Sequence, residues 1–120
     1  MLVDSNIIIY ASKPDGDQAR EFIRAQAPQV SVISQIEVLG YHKLNPDERQ
    51  LLEAFFRTAV ILAVTTPMVD EAIRLRQVRR MSLGDSLVAA TALVHHLALA
   101  THNTDDFSWI AGLQLTDPVA

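Results

Sequence analysis

The sequence predicts an α/β fold, a mainly parallel sheet with helices on both faces. Two observations predict it. Short apolar runs at residues 2–3, 30–33, 60–64, 97–101 and 113–116 alternate with segments of helical spacing, the pattern of strands joined by helical crossovers. The run at 60–64 is also continuously apolar, as in a strand covered on both sides.

The elements follow in order. Leu2-Val3 is a very short strand ending at Asp4, and residues 5–11 form a short apolar helix. Pro14-Asp15-Gly16-Asp17 signals a turn. Ala19, Phe22 and Ile23 then recur at helical spacing. Residues 30–33 are assigned to a strand and 34–43 to a helix. Asn45-Pro46, with Asp47-Glu48 in the first turn, starts the next helix, whose expected buried stripe is Leu51, Phe55 and Ala59, flanked by Leu52 and Phe56. After the strand at 60–64, Thr66-Pro67 opens a helix with Val69, Ala72 and Ile73 inward and an Asp70–Arg74 pair outward. Gly84 interrupts, and residues 85–96 form a helix apolar on almost every side, hence buried. A strand at 97–101, a short helix at 104–110 and a last strand at 113–116 complete the chain.

The chain is short enough, at 120 residues, for one domain spanning 1–120, and apolar enough, at 49% hydrophobic residues, to rule out disorder. Without cysteine there is no disulfide framework, thiolate metal site or cysteine catalysis. No basic-then-apolar leader opens the sequence and no run approaches a membrane span, so the expectation is a cytoplasmic protein with no membrane contact. A net charge of −4 argues against gripping nucleic acid by bulk electrostatics, but not against a local basic patch or a bound cation.

In a parallel sheet, ligands sit at the carboxyl ends of the strands. Asp4 ends the first strand, and Asn103, Asp105 and Asp106 follow the run that ends at Thr101. Glu37 and Asp85 also stand in strongly apolar surroundings. Converging carboxylates repel one another, and a divalent cation with hard oxygen ligands relieves that repulsion. Such a cation activates water and stabilises charge on a phosphodiester. Each acid also has a structural explanation. Ser34-Gln-Ile-Glu37 fits a capping box and Ser82-Leu-Gly-Asp85 a looser version of it. Asp4 suits an N-cap, and Asp105 and Asp106 suit a helix N-terminus.

Four histidines (His42, His95, His96, His102) match no zinc ligand spacing, and His95-His96 fit the end of a helix. Arg74, Arg76, Arg79 and Arg80 form the main basic cluster, either a solvated helix face or a phosphate-contacting rim. Phe107 and Trp109 suit a core or an interface better than a base-stacking platform.

Four segments stand out together: Val3-Asp4-Ser5-Asn6, Ser34-Gln35-Ile36-Glu37-Val38-Leu39, the run 83–92 (LGDSLVAATA), and the run 100–107 (ATHNTDDF). In this combination they resemble the PIN-domain family, and within it the small bacterial toxins of the VapC and FitB type. Each pattern is loose alone; the four in this order and spacing are specific. The resemblance implies a three-layer α/β/α sandwich and an Mg²⁺- or Mn²⁺-dependent endoribonuclease, with Asp4, Glu37 and Asp85 at the acidic site. It implies in-line attack by metal-activated water without a covalent enzyme intermediate. Homodimerisation and inhibition by a small antitoxin that carries the DNA-binding part are further implications.

Asn103 departs from the family pattern, in which an acid commonly stands there. Its carbonyl oxygen still suits a metal, and Asp106 is preferred over Asp105 to supply the missing charge because it directly precedes Phe107. Asp4, Asp85, Asn103 and Asp106 are thus the expected metal shell, with Glu37 as a ligand or water-orienting group. Ser5, Asn6 and Thr101 are expected hydrogen-bond partners. The main rival is a non-catalytic PIN-like module that binds a partner protein or RNA. A flavodoxin-like phosphoryl acceptor ranks below it, because neither Lys13 nor Lys43 follows a late strand.

Overall fold

Five strands form the sheet of the computed structural model, which describes residues 1–120: β1 (Leu2–Val3), β2 (Gln29–Ser31), β3 (Ile61–Leu62), β4 (Leu99–Ala100) and β5 (Leu115–Thr116). All pairings are parallel, in the order β3-β2-β1-β4-β5. Val3 lies opposite Val30 on one side and Ala100 on the other. From β1 the chain moves outward through β2 and β3, then returns to the other flank of β1 with β4. The direction of winding reverses between β1 and β4, and a crevice opens beyond their C-terminal ends.

Alternate side chains on these short strands feed two cores. Val3, Val30 and Ala100 pack with Ile7, Ile8, Ala19, Val38, Leu52 and Phe56. These come from α1 (Ser5–Ala11), α2 (Asp17–Gln26), α3 (Val32–Leu39) and α4 (Pro46–Thr58). Leu2 and Leu99 instead pack with Leu75, Val88, Ala89, Ala92 and Phe107. Those belong to α5 (Thr66–Val78), α6 (Leu83–Val94) and α7 (Thr104–Phe107). The result is the α/β/α sandwich expected from the sequence. No helix is long and apolar enough to cross a membrane.

Several local expectations need correction. Val32 and Ile33 open α3 instead of extending a strand, and the cap is Ser31, whose hydroxyl accepts from the Ile33 amide at 3.1 Å. Ser34 is therefore not a cap; it is fully buried and its Oγ has no partner. The buried stripe of α4 is turned by one residue, to Glu48, Leu52 and Phe56, leaving Leu51 exposed. Glu48 is buried because it pairs with Lys13 from the loop after α1. In α5 the inward face is Met68, Ala72 and Leu75, while Val69 and Ile73 line an open apolar groove of about 750 Å³ against α6. Arg74 pairs with Glu71, one turn back, and not with Asp70. The C-terminus of α6 agrees with its reading: His95 is the cap, His96 turns left-handed at φ 54°, and the Leu97 amide donates to the Ala92 carbonyl at 2.9 Å.

Candidate active site

Asp4 lies directly after β1 and is also the N-cap of α1. One carboxylate oxygen, Oδ1, accepts from the Ser5 amide at 2.8 Å, and Oδ2 accepts from the Thr101 hydroxyl at 2.9 Å. Thr101 follows β4, so this second bond ties the two strands on either side of the winding reversal. Asp4 is only 6% exposed. Burial pushes its carboxyl up to about 6, against the two hydrogen bonds, with the charges of Asp85 and Glu37 adding to the rise. Asp4 is thus a helix cap whose carboxyl also lies within reach of other carboxylate charges.

Glu37 reaches the same place from α3. It does not cap its own helix, as the Ser34 capping box predicted; instead Oε1 accepts from the Ser5 hydroxyl at 2.8 Å. Its other oxygen rests against Gly84 in the first turn of α6, where an added Cβ would come within 2.6 Å of it. Gly84 thus sits inside α6, not before it, and lets a carboxylate approach the helix backbone. The role of this glycine was missed in the sequence, where its one signal was a weak helix former at a helix start.

Asp85 follows on α6. The Ser82 hydroxyl accepts from the Asp85 amide at 3.1 Å, so the looser capping pattern is present. Partial burial raises the carboxyl of Asp85, Ser82 partly offsets this, and Asp106 and Glu37 raise it further. Asp106 on α7 is thereby close enough to be felt at Asp85; both line one cleft, together with Asp105. Asn103 is exposed at the N-cap of α7; its side chain makes no capping bond, and its backbone N–H donates to Thr101 Oγ1 at 3.1 Å.

Beyond the ends of β1 and β4, Asp4 thus feels the charges of Asp85 and Glu37, and Asp85 those of Asp106 and Glu37. No three acidic or histidine side chains close into a ready-made cage. They are an open group of hard oxygen donors, the ligand type that divalent cations take, in which the carboxyls of Asp4 and Asp85 are raised first by burial and then by neighbouring carboxylates. The histidines take no part; His102 pairs with Asp117 at 3.0 Å. Phe107 is core, as expected, whereas Trp109 is only partly covered and lines the cleft.

The family model for the PIN domain matches residues 1–113. Among solved structures, the chain is similar to one described as a toxin–antitoxin complex from Klebsiella pneumoniae, with 30% identity and a TM-score of 0.79 over 98% of this chain and 96% of that one. VapBC2 from Rickettsia felis, bound to a DNA fragment from their promoter, matches at 20% identity and a TM-score of 0.82, covering 96% of each chain. FitAcB from Neisseria gonorrhoeae matches at 21% identity and a TM-score of 0.76, over 98% of this chain and 96% of that one. The last two likenesses are of fold. No curated protein matches.

Proposed function

The chain belongs to the PIN-domain family, and on that premise we propose that it is a divalent-metal-dependent endoribonuclease, the toxin half of a toxin–antitoxin pair. The observation that carries this reading is the meeting of Asp4, Glu37, Asp85 and Asp106, drawn from four separate helices or strand ends, at the winding reversal of the sheet. The similar toxin–antitoxin complex from Klebsiella pneumoniae supports the pairing with a small antitoxin.

In this reading Asp4, Asp85, Asn103 and Asp106 hold the cation, and Asp106 is favoured over Asp105 because its charge is the one felt at Asp85. A bound Mg²⁺ or Mn²⁺ would supply water activated at neutral pH and would offset charge on the phosphodiester. The chain's own residues do the rest. Ser5 and Thr101 hold the two oxygens of Asp4 in fixed directions. The Ser5 hydroxyl also holds Glu37, leaving its second oxygen to orient water beside Gly84. The 120 residues act as one cytoplasmic domain that pairs into a homodimer.

The open spacing of the carboxylates favours one alternative, a non-catalytic PIN-like module that binds RNA or a partner protein. One experiment separates the two: RNA cleavage by purified antitoxin-free protein with Mg²⁺ or Mn²⁺, against chelator and Asp85→Asn. Cleavage that needs metal and disappears in Asp85→Asn is expected. Absence of cleavage, joined to absence of metal uptake by calorimetry, would leave the binding module.

A further inference from the structure

The cleft that holds Asp85 and Asp106 has a second wall of opposite charge. Arg76, Arg79 and Arg80, from the end of α5 and the turn after it, line it together with Trp109. The cleft measures about 580 Å³. Although both signs of charge border it, no ion pair crosses it: Arg20, Arg24, Arg49 and Arg74 have carboxylate partners, and these three arginines have none. Two of them are positioned by uncharged partners instead. Arg79 lies over the Trp109 ring, 5.6 Å from its centroid, and Arg76 donates to the Met81 carbonyl at 3.3 Å. Trp109 is itself fixed, because its indole N–H donates to the Asp106 carbonyl at 3.0 Å. One residue thus links the guanidinium wall to the helix that carries an acidic residue of the site.

We propose that Arg76, Arg79 and Arg80 form a binding site for the RNA backbone next to the acidic group, and that Trp109 is a positioning residue that presents the Arg79 guanidinium. This rests on the ribonuclease reading above and adds to it where the strand lies. A guanidinium matches the paired oxygens of a phosphate, and its aromatic contact keeps it preorganised without neutralising it. The two-signed cleft favours RNA over an acidic protein segment. A phosphodiester strand can lay its phosphates on the arginines and turn 2′-hydroxyls and base amino groups, which are donors, toward the carboxylates, whereas an acidic peptide brings further carboxylates to that wall. Arg74 is excluded from the site, since it is spent on Glu71.

The test is binding of a fluorescent single-stranded RNA oligonucleotide to the full chain in chelator, read by anisotropy across a salt series. Metal-free binding keeps it independent of cleavage. Replacing Arg79 and Arg80 by Ala is expected to weaken binding about tenfold and to flatten the salt slope by roughly one to two. Trp109→Leu should weaken binding severalfold with the slope kept, because the charge remains but is no longer placed. Trp109→Phe, which restores an aromatic face under Arg79, should recover most of the affinity; a packing role alone would not show this ordering in proteins matched for unfolding temperature. Unchanged affinity and slope in the arginine variant overturns the proposal, as does a wild-type chain that does not bind the oligonucleotide. Loss of binding to the antitoxin with RNA binding intact would assign the wall to a protein partner and overturn it too. Arginine-dependent binding without metal-dependent cleavage would keep this site and remove the nuclease reading.

Discussion

Asp4 carries the largest electrostatic consequence of any single side chain. Its carboxyl sits at about 6 in the folded chain against 3.8 for an unperturbed aspartate, so the folded state binds its proton more tightly than the unfolded state. The resulting stabilisation is fully present below 3.8 and is lost as pH rises through about 6. At neutral pH the metal-free protein therefore carries a cost of about 3 kcal/mol. Asp4→Asn keeps an acceptor for the Ser5 amide and a partner for Thr101 while removing the charge. Its unfolding temperature in chelator should exceed that of the native chain at pH 7 and match it near pH 4; equal values at both would refute the linkage. Gly84 gives a second prediction. In Gly84→Ala the new methyl meets the end of the flexible Glu37 side chain, which can move away. Stability should stay within about 1 kcal/mol of the native chain, since alanine is the better helix former. Cleavage should fall roughly tenfold to a hundredfold as Glu37 is displaced. Parallel measurement of melting and cleavage checks both halves. The acids were legible in the sequence because each stands out from apolar neighbours. Gly84 was not, because its purpose depends on a carboxylate 47 positions away that no local pattern reveals.

Elements were legible in kind and order, and failed in phase. At the start of α3, two β-branched residues, Val32 and Ile33, carry a strand preference that the fold overrides. The chain must turn immediately after Ser31 so that α3 can bring Glu37 to Ser5. This distinction is measurable. Ser31→Ala removes the bond to the Ile33 amide and should cost about 1 kcal/mol. Ser34→Ala removes a fully buried hydroxyl that has no partner and should be neutral or stabilising. Denaturant midpoints at constant m-value give the comparison, and the reverse order would restore the capping box predicted from sequence. In α4 and α5 the apolar residues exceed what one face needs, so periodicity alone admits two neighbouring phases. Burial chose Leu52 and Phe56 in one and Met68, Ala72 and Leu75 in the other. By contrast α6 is apolar nearly all round, and its burial follows whatever the phase.

On the scale of the whole molecule, the acidic group joins parts that otherwise belong to different cores. Asp4 begins α1 and Glu37 lies on α3, in the layer packed around Val3; Asp85 and Asp106 lie on α6 and α7, in the layer packed around Leu2. The sequence made the convergence of Asp4 with residues 103–106 conditional on β1 and β4 being neighbours, as they are; Glu37 and Asp85 were assigned to the same site only by the family resemblance. What the sequence did not show is that no three of these side chains close into a cage, since that depends on how far the two helical layers stand apart. A cation bridging them links the two layers, so binding should stabilise the fold as a whole. With binding confined to the native state, a concentration of one hundred dissociation constants adds about 2.7 kcal/mol. For a domain of this size that raises the unfolding temperature by roughly 10 °C. Titration with Mg²⁺ and with Mn²⁺ at pH 7 should therefore raise the melting temperature in a saturable way, and Asp4→Asn should abolish most of the rise. A flat response through millimolar metal in the native chain would remove the metal site, and with it the hydrolytic reading, leaving Asp4 as a helix cap and the other acids without a shared task.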